Sequence, residues 1–363
     1  MGENGEMKRM GKFELLELLE EGLVGALYRA RDTEEDRDVL LKVISPTVSQ
    51  NPFFGKQLYD KWTDQKSLVE HPNVLRVWEV GEQAGRYYLA AEAVQGQTLS
   101  AKLDESPLGI EEALSIVRQI AEGLRAIHRR GVVHGQLTPA DVLLTQDKMG
   151  RLLVKIAIFD LGVSATGSAI SVFGELTGAP KYMAPEVIRG RAPGAQSDIF
   201  ALGVLAYELF TGREPFSSEH PTGYLFGNCE KEATPADQVN EKAPHEVALV
   251  IHRMLEKSPS DRYRAVERVV DDLDRCTECI RTGRAEVVPY GTDSAFARNY
   301  ELPEPETKLK QPERTRIGHV AIFLILLGLV VGLAVHPIRN LSLIHISEPT
   351  RPLYISYAVF CLK

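Results

Sequence analysis

Apolar residues follow two different periods along this chain. Ahead of residue 94 they come in short runs, Phe13 to Leu19, Leu23 to Ala30 and Val39 to Ile44, and the first two flank a turn containing Gly22 and Gly25. Runs of that length between turn residues predict three antiparallel strands. Residues 52–69 carry a helical pattern, His71-Pro72-Asn73 interrupts it, and two more strand-like runs end near Val94. From Ile110 onward Ala113, Leu114, Val117, Ile120, Ala121, Leu124 and Ile127 recur at helical spacing, and helices are expected to about Arg281. The pattern predicts an α+β chain: a small β-rich lobe over 12–93, a join near Glu92 to Gly96, and a larger helical lobe over 97–281.

The flanks read differently. Residues 1–11 are a polar tail, and 282–316 lose hydrophobic periodicity around Glu301-Leu302-Pro303-Glu304-Pro305-Glu306, as a solvated linker does. Ile317 to Val335 then supplies 19 residues in which only His319 is ionisable. At ~1.5 Å rise per residue such a helix nearly spans a ~30 Å hydrocarbon layer, so a transmembrane helix is predicted at 317–335. Lys308, Lys310, Arg314 and Arg316 precede it against Arg339 beyond, which orients the two-lobed region toward the cytoplasm of a single-pass inner-membrane protein. Leu341 to Arg351 and Ile355 to Lys363 resemble a translated sequencing-library adapter, so 341–363 is set aside from fold reasoning. The natural chain is expected to continue past Asn340.

Composition narrows the partners. With 363 residues, 44% of them hydrophobic and 25% charged, the chain has the makings of a sizeable globular core. A formal net charge of -8 offers no basic field for a nucleic-acid backbone and argues against that partner. Four scattered cysteines make no disulfide framework, and the lone pair Cys276 and Cys279 lacks the second pair of ligands of a zinc site.

The motifs add chemistry. Glu20-Glu21-Gly22-Leu23-Val24-Gly25-Ala26-Leu27-Tyr28, Lys42 within Val39-Leu40-Leu41-Lys42, and Thr177 through Pro185-Glu186 occur in that order. They are followed by Ser197-Asp198 through Pro215-Phe216 and by Asp261-Arg262-Tyr263. From about Lys12 to Arg281 the chain thereby resembles the bacterial serine/threonine protein kinases, which implies the two-lobed protein kinase fold. The resemblance implies that Gly22 and Gly25 approach nucleotide phosphates and that Lys42 pairs with them. It places Leu27, Leu143 and the backbone of Glu92 and Val94 around the adenine. It also implies that Asp198 anchors the catalytic-loop backbone and that Arg262 pairs with Glu186.

The same resemblance exposes what is missing. Where active relatives read H-R-D-L-K-P-E-N, this chain has His134-Gly135-Gln136-Leu137-Thr138-Pro139-Ala140-Asp141. Gln136 stands for the aspartate that accepts the substrate proton, and an amide accepts none at any useful pH. Thr138 stands for the lysine that steadies the transferring phosphoryl group, and Ala179 for the threonine of G-T-P. Asp141 and Asp160, the latter in a D-L-G variant of D-F-G, remain as a metal pair for Mg²⁺ or Mn²⁺ with ATP; aligning Ile158-Phe159-Asp160 with D-F-G instead leaves no metal aspartate. Leu40 and Leu27 crowd the adenine slot. The helix glutamate that would pair with Lys42 falls on Trp62, so Lys42 is expected to lack its partner. The expectation is a membrane-anchored pseudokinase engaging cytoplasmic proteins; the alternative is an active ATP-dependent serine/threonine kinase with an atypical catalytic loop. Dimerisation is left open by the sequence.

Overall fold

The computed structural model describes residues 8–22, 24–50, 59, 62–63, 70–105, 108–159 and 179–282. All lie in the unit Met1–Pro305, the second unit being Glu306–Lys363. The linker, the apolar run 317–335, residues 341–363 and Asp160 fall outside the described residues. Among the described residues no helix is long and apolar enough to cross a membrane.

Six strands form the first sheet: β1 (Arg9–Met10), β2 (Phe13–Glu21), β3 (Gly25–Asp32), β4 (Arg37–Ile44), β5 (Val77–Gln83) and β6 (Arg86–Glu92). Their order is β1-β2-β3-β4-β6-β5 and every pairing is antiparallel. Strand β4 is nearly continuous in apolar residues because both of its faces are covered. Val39, Leu41 and Val43 join Met10, Phe13, Ala30 and Ala90 on one side, while Leu40 and Ile44 join Leu89 and Ala91 in the main core. Lys42 thus lies on the main-core side, between Leu40 and Ile44. The sheet takes in Arg9 and Met10 from the stretch predicted as a tail, since Met10 is buried. Strand β2 departs from simple alternation: register shifts at Leu15/Glu17 and Leu18/Glu20 leave Leu16, Leu18 and Leu19 exposed.

A short helix α1 (Pro46–Ser49) follows β4, and Tyr59, Trp62 and Thr63 are helical. After β6 the chain continues to β7 (Gln97–Thr98). Gly96 takes φ 156°, and a Cβ there would fall 1.9 Å from the Leu144 carbonyl oxygen, so only glycine fits this crossing. The second lobe contains α2 (Leu99–Glu105), α3 (Ile110–His128) and the hairpin β8 (Val142–Gln146) and β9 (Leu152–Ile156), which pairs with β7. The hairpin turn is closed by Asp147, whose carboxylate accepts from the Met149 and Arg151 amides and from Arg151 Nε. Then come α4 (Pro185–Ile188), α5 (Ala195–Thr211), α6 (Pro221–Glu230), α7 (Ala236–Val239), α8 (His245–Met254) and α9 (Val266–Thr282).

The seven apolar positions that predicted α3 are all buried. Helix α5 is buried from Ser197 to Phe210 on every side, so it runs through the core and carries no amphipathic signal. Cys276 and Cys279 sit on α9 with both side chains buried, and burial pushes the Cys276 thiol up to about 12.

Candidate active-site cleft

The cleft is built from the β3–β4 pair outward. Leu27 pairs across the strands with Lys42, and Lys42 is only 4% exposed. The Lys42 side chain is not free; the expectation concerned the helix glutamate alone. Gly25 opens β3 opposite Ile44, where a Cβ would lie 2.2 Å from the Val43 carbonyl oxygen. Glycine is therefore required by the approach of β4 itself, apart from any phosphate. The Gly22 amide donates to the Gly25 carbonyl at 3.0 Å and closes the turn. Around the predicted adenine slot Leu40 is buried in the main core, with Leu27, Val94 and Leu143 packed on the same cluster. Leu40 and Leu27 each carry more methylenes than the small residues that the family resemblance places there, which leaves less room for a base.

At the lobe junction the Glu92 backbone amide donates to the Arg76 carbonyl at 2.9 Å. The Glu92 carboxylate accepts from the Arg76 amide at 2.9 Å and from Lys155 Nζ at 2.7 Å. Lys155 lies on β9 opposite Leu143, so this ion pair ties the end of the first sheet to the hairpin below it. Sequence reasoning missed Lys155; its polar side chain in an otherwise apolar strand was the available signal.

Helix α5 sets the catalytic-loop geometry. Asp198, 0% exposed, accepts from the His134 amide at 2.9 Å and the Gly135 amide at 2.7 Å, and His128 Nε2 lies 2.7 Å from the same carboxylate. One carboxylate thus satisfies two loop amides and fixes their direction. Gly135 takes φ 82°, a conformation that glycine enters without steric cost. Gln136 is half-buried, between buried His134 and Leu137. Thr138 turns inward: its amide and its hydroxyl both donate to Asp141 Oδ2, at 2.9 and 2.8 Å, capping the 3-10 turn Pro139–Asp141. A lysine at this position carries a cation outward on a long stem; the threonine hydroxyl is held against the loop's own carboxylate.

Among the described residues no group of three or more histidine, cysteine or acidic side chains is arranged to hold a metal ion. The one metal candidate that is described, Asp141, has an oxygen already occupied by Thr138. These residues alone do not fit a divalent-cation site, and no phosphoryl-transfer step follows from them.

The segment after Ala179 is firmly held. Asn228 on α6 is fully buried and its amide nitrogen reaches the carbonyls of Pro180, Lys181 and Met183 at 3.0, 3.2 and 2.8 Å. Tyr182 donates to Glu208 at 2.7 Å, and Lys181 Nζ pairs with Glu208 and with Glu214 at 3.0 Å. These side chains line a cavity of about 580 Å³ together with Ser100, Asp104 and Arg213. Below it Glu186 and Arg262 form a two-pronged pair, Nη1–Oε1 2.8 Å and Nη2–Oε2 2.9 Å, and Ser197 adds a third bond to Glu186. Burial works against the Glu186 carboxylate, yet the Arg262 guanidinium outweighs it and holds the carboxyl below its usual range.

Lys257 was not singled out from sequence. Its ammonium donates to the Gly227 and Asn228 carbonyls at the end of α6 and stands 3.6 Å from the Phe216 ring centre. Burial lowers its pKa to about 8; Glu232, Cys229 and Glu230 oppose that shift and Arg262 adds to it. An unfolded lysine titrates near ~10.4, so between about pH 8 and ~10.4 the unfolded chain binds more protons and stability rises with pH. Urea midpoints of wild type minus Lys257→Met are expected to climb across that window and to be flat below it.

The lobes, the anchored loop and the Glu186–Arg262 pair define a protein-kinase-type domain. The protein kinase domain family model matches residues 13–272, and the chain belongs to that family. It is 26% identical to the serine/threonine-protein kinase PrkC of Bacillus subtilis over 84% of this chain and 48% of PrkC. To the serine/threonine-protein kinase Pkn1 of Myxococcus xanthus it is 30% identical, over 86% of this chain and 46% of Pkn1. The chain therefore spans about half the length of these curated relatives. The crystal structure of the Mycobacterium tuberculosis PknI kinase domain superposes with a TM-score of 0.59 at 22% identity, covering 74% of this chain and 97% of that one. That likeness is one of fold.

Proposed function

We propose that this chain is a membrane-anchored pseudokinase, a kinase-fold module that presents surfaces to cytoplasmic proteins and transfers little or no phosphate. The observation that carries the reading is the state of the loop between His134 and Asp141. Its backbone is held by Asp198 as a working loop would be, while Gln136 offers a neutral amide and Thr138 spends its hydroxyl on Asp141. A positioned general base is commonly worth ~10²–10⁴-fold in rate, and its loss alone reduces transfer to a trace. An intact scaffold around a disarmed loop fits selection for shape. Kinases of this family use ATP with Mg²⁺ or Mn²⁺; here the bulk of Leu40 and Leu27 and the engagement of Asp141 weigh against tight binding.

Transfer from labelled ATP by the full chain, with either metal, should not exceed that of a Lys42→Met control. Clear transfer above that control installs the other reading, an ATP-dependent serine/threonine kinase with a relocated base. The anchor rests on 317–335 and its flanking charges: the chain should stay with inner membranes through an alkaline wash, and release into the soluble fraction removes the anchor from the proposal.

A further inference from the structure

Trp62 occupies the place where the family resemblance puts a glutamate, and its surroundings give it a different task. The side chain is 0% exposed and belongs to the main core with Leu40, Ile44, Leu89, Ile158 and Phe159. Its indole N–H donates to the backbone carbonyl of Phe159 at 3.2 Å, joining residues 97 apart. Three residues earlier on the same helical face, Tyr59 packs its ring on Tyr87 of β6, with centroids 5.0 Å apart. The pair of contacts pins this helical stretch to the first sheet on one side and to the exit of β9 on the other. Neither contact involves a charge.

We propose that Trp62 is a positioning residue: its bond to Phe159 fixes where the chain leaves β9, independently of ionic strength and of bound nucleotide. An ion pair at this place responds to any phosphate nearby and, to the smaller extent that burial allows, to salt. An indole N–H buried against a carbonyl in an apolar cluster responds to neither. The inference concerns how the cleft is held together and stands whether or not the domain transfers phosphate.

The protein has two tryptophans, and the other, Trp78, lies between the guanidinium groups of Arg37 and Arg76 at 4.2 and 4.3 Å. In the full chain carrying Trp78→Phe, Trp62 is the sole emitter. Its acrylamide quenching should stay constant, within about twofold, from low salt to ~1 M and on addition of millimolar ATP with Mg²⁺. A larger change with either overturns the proposal. Trp62→Phe keeps an aromatic ring and removes the donor; hydrogen exchange at Ala157–Phe159 should then accelerate about tenfold while α5 keeps its protection. Unchanged exchange at 157–159, or an equal loss throughout the domain, also overturns it. Should Trp62→Phe fail to fold, the quenching measurement on the Trp78→Phe chain decides alone.

Discussion

Arg262→Met is expected to lower the unfolding free energy by about 3–5 kcal/mol, because it strands the Glu186 carboxylate in the core. Against a typical stability of ~5–15 kcal/mol this is a large fraction, and the urea midpoint should fall accordingly. The loss belongs to the orphaned charge more than to the attraction. Replacing both partners, Glu186→Met with Arg262→Met, should therefore restore most of the stability, although Ser197 and the Gln196, Glu256 and Lys257 carbonyls lose partners too. A double variant no more stable than Arg262→Met would show that the guanidinium acts chiefly through those carbonyls.

Asp198→Ala should produce the second large effect. It leaves the buried His134 amide and the Gly135 amide without an acceptor, at about 1–3 kcal/mol each, and frees His128 as well. Exchange protection of the two loop amides should collapse, and the urea midpoint should fall with it. Asp198→Asn keeps one oxygen but turns an amide NH₂ toward a loop N–H, so it should lie between alanine and wild type. If both variants unfold at the wild-type midpoint, the carboxylate is not what holds the loop.

Much of this scaffold could be read from the sequence because it follows local rules. The period of α3, the strand runs bounded by Gly22 and Gly25, and the break near Gly96 each depend on neighbours within a few residues. Asp198, Glu186 and Arg262 were readable for another reason: they sit inside long motifs whose order and spacing few other folds share. Strand β2 was only half legible, since its two register shifts are a matter of pairing with β3 and leave three leucines outside. The bonds that give the cleft its character were not legible at all. Trp62 to Phe159, Glu92 to Lys155 and Asn228 to the Pro180–Met183 carbonyls join residues far apart in the chain, and residue type names none of those acceptors. Thr138 was identified as a missing cation, but only the structure shows its hydroxyl facing Asp141.

The sulfur atoms of the second lobe have one more consequence. Cys229, Cys276 and Cys279 are all enclosed, and at neutral pH Cys276 has almost no thiolate. Alkylating reagents and peroxides must wait for the helices around them to part, so iodoacetamide incorporation at these three positions serves as a clock for opening of that lobe.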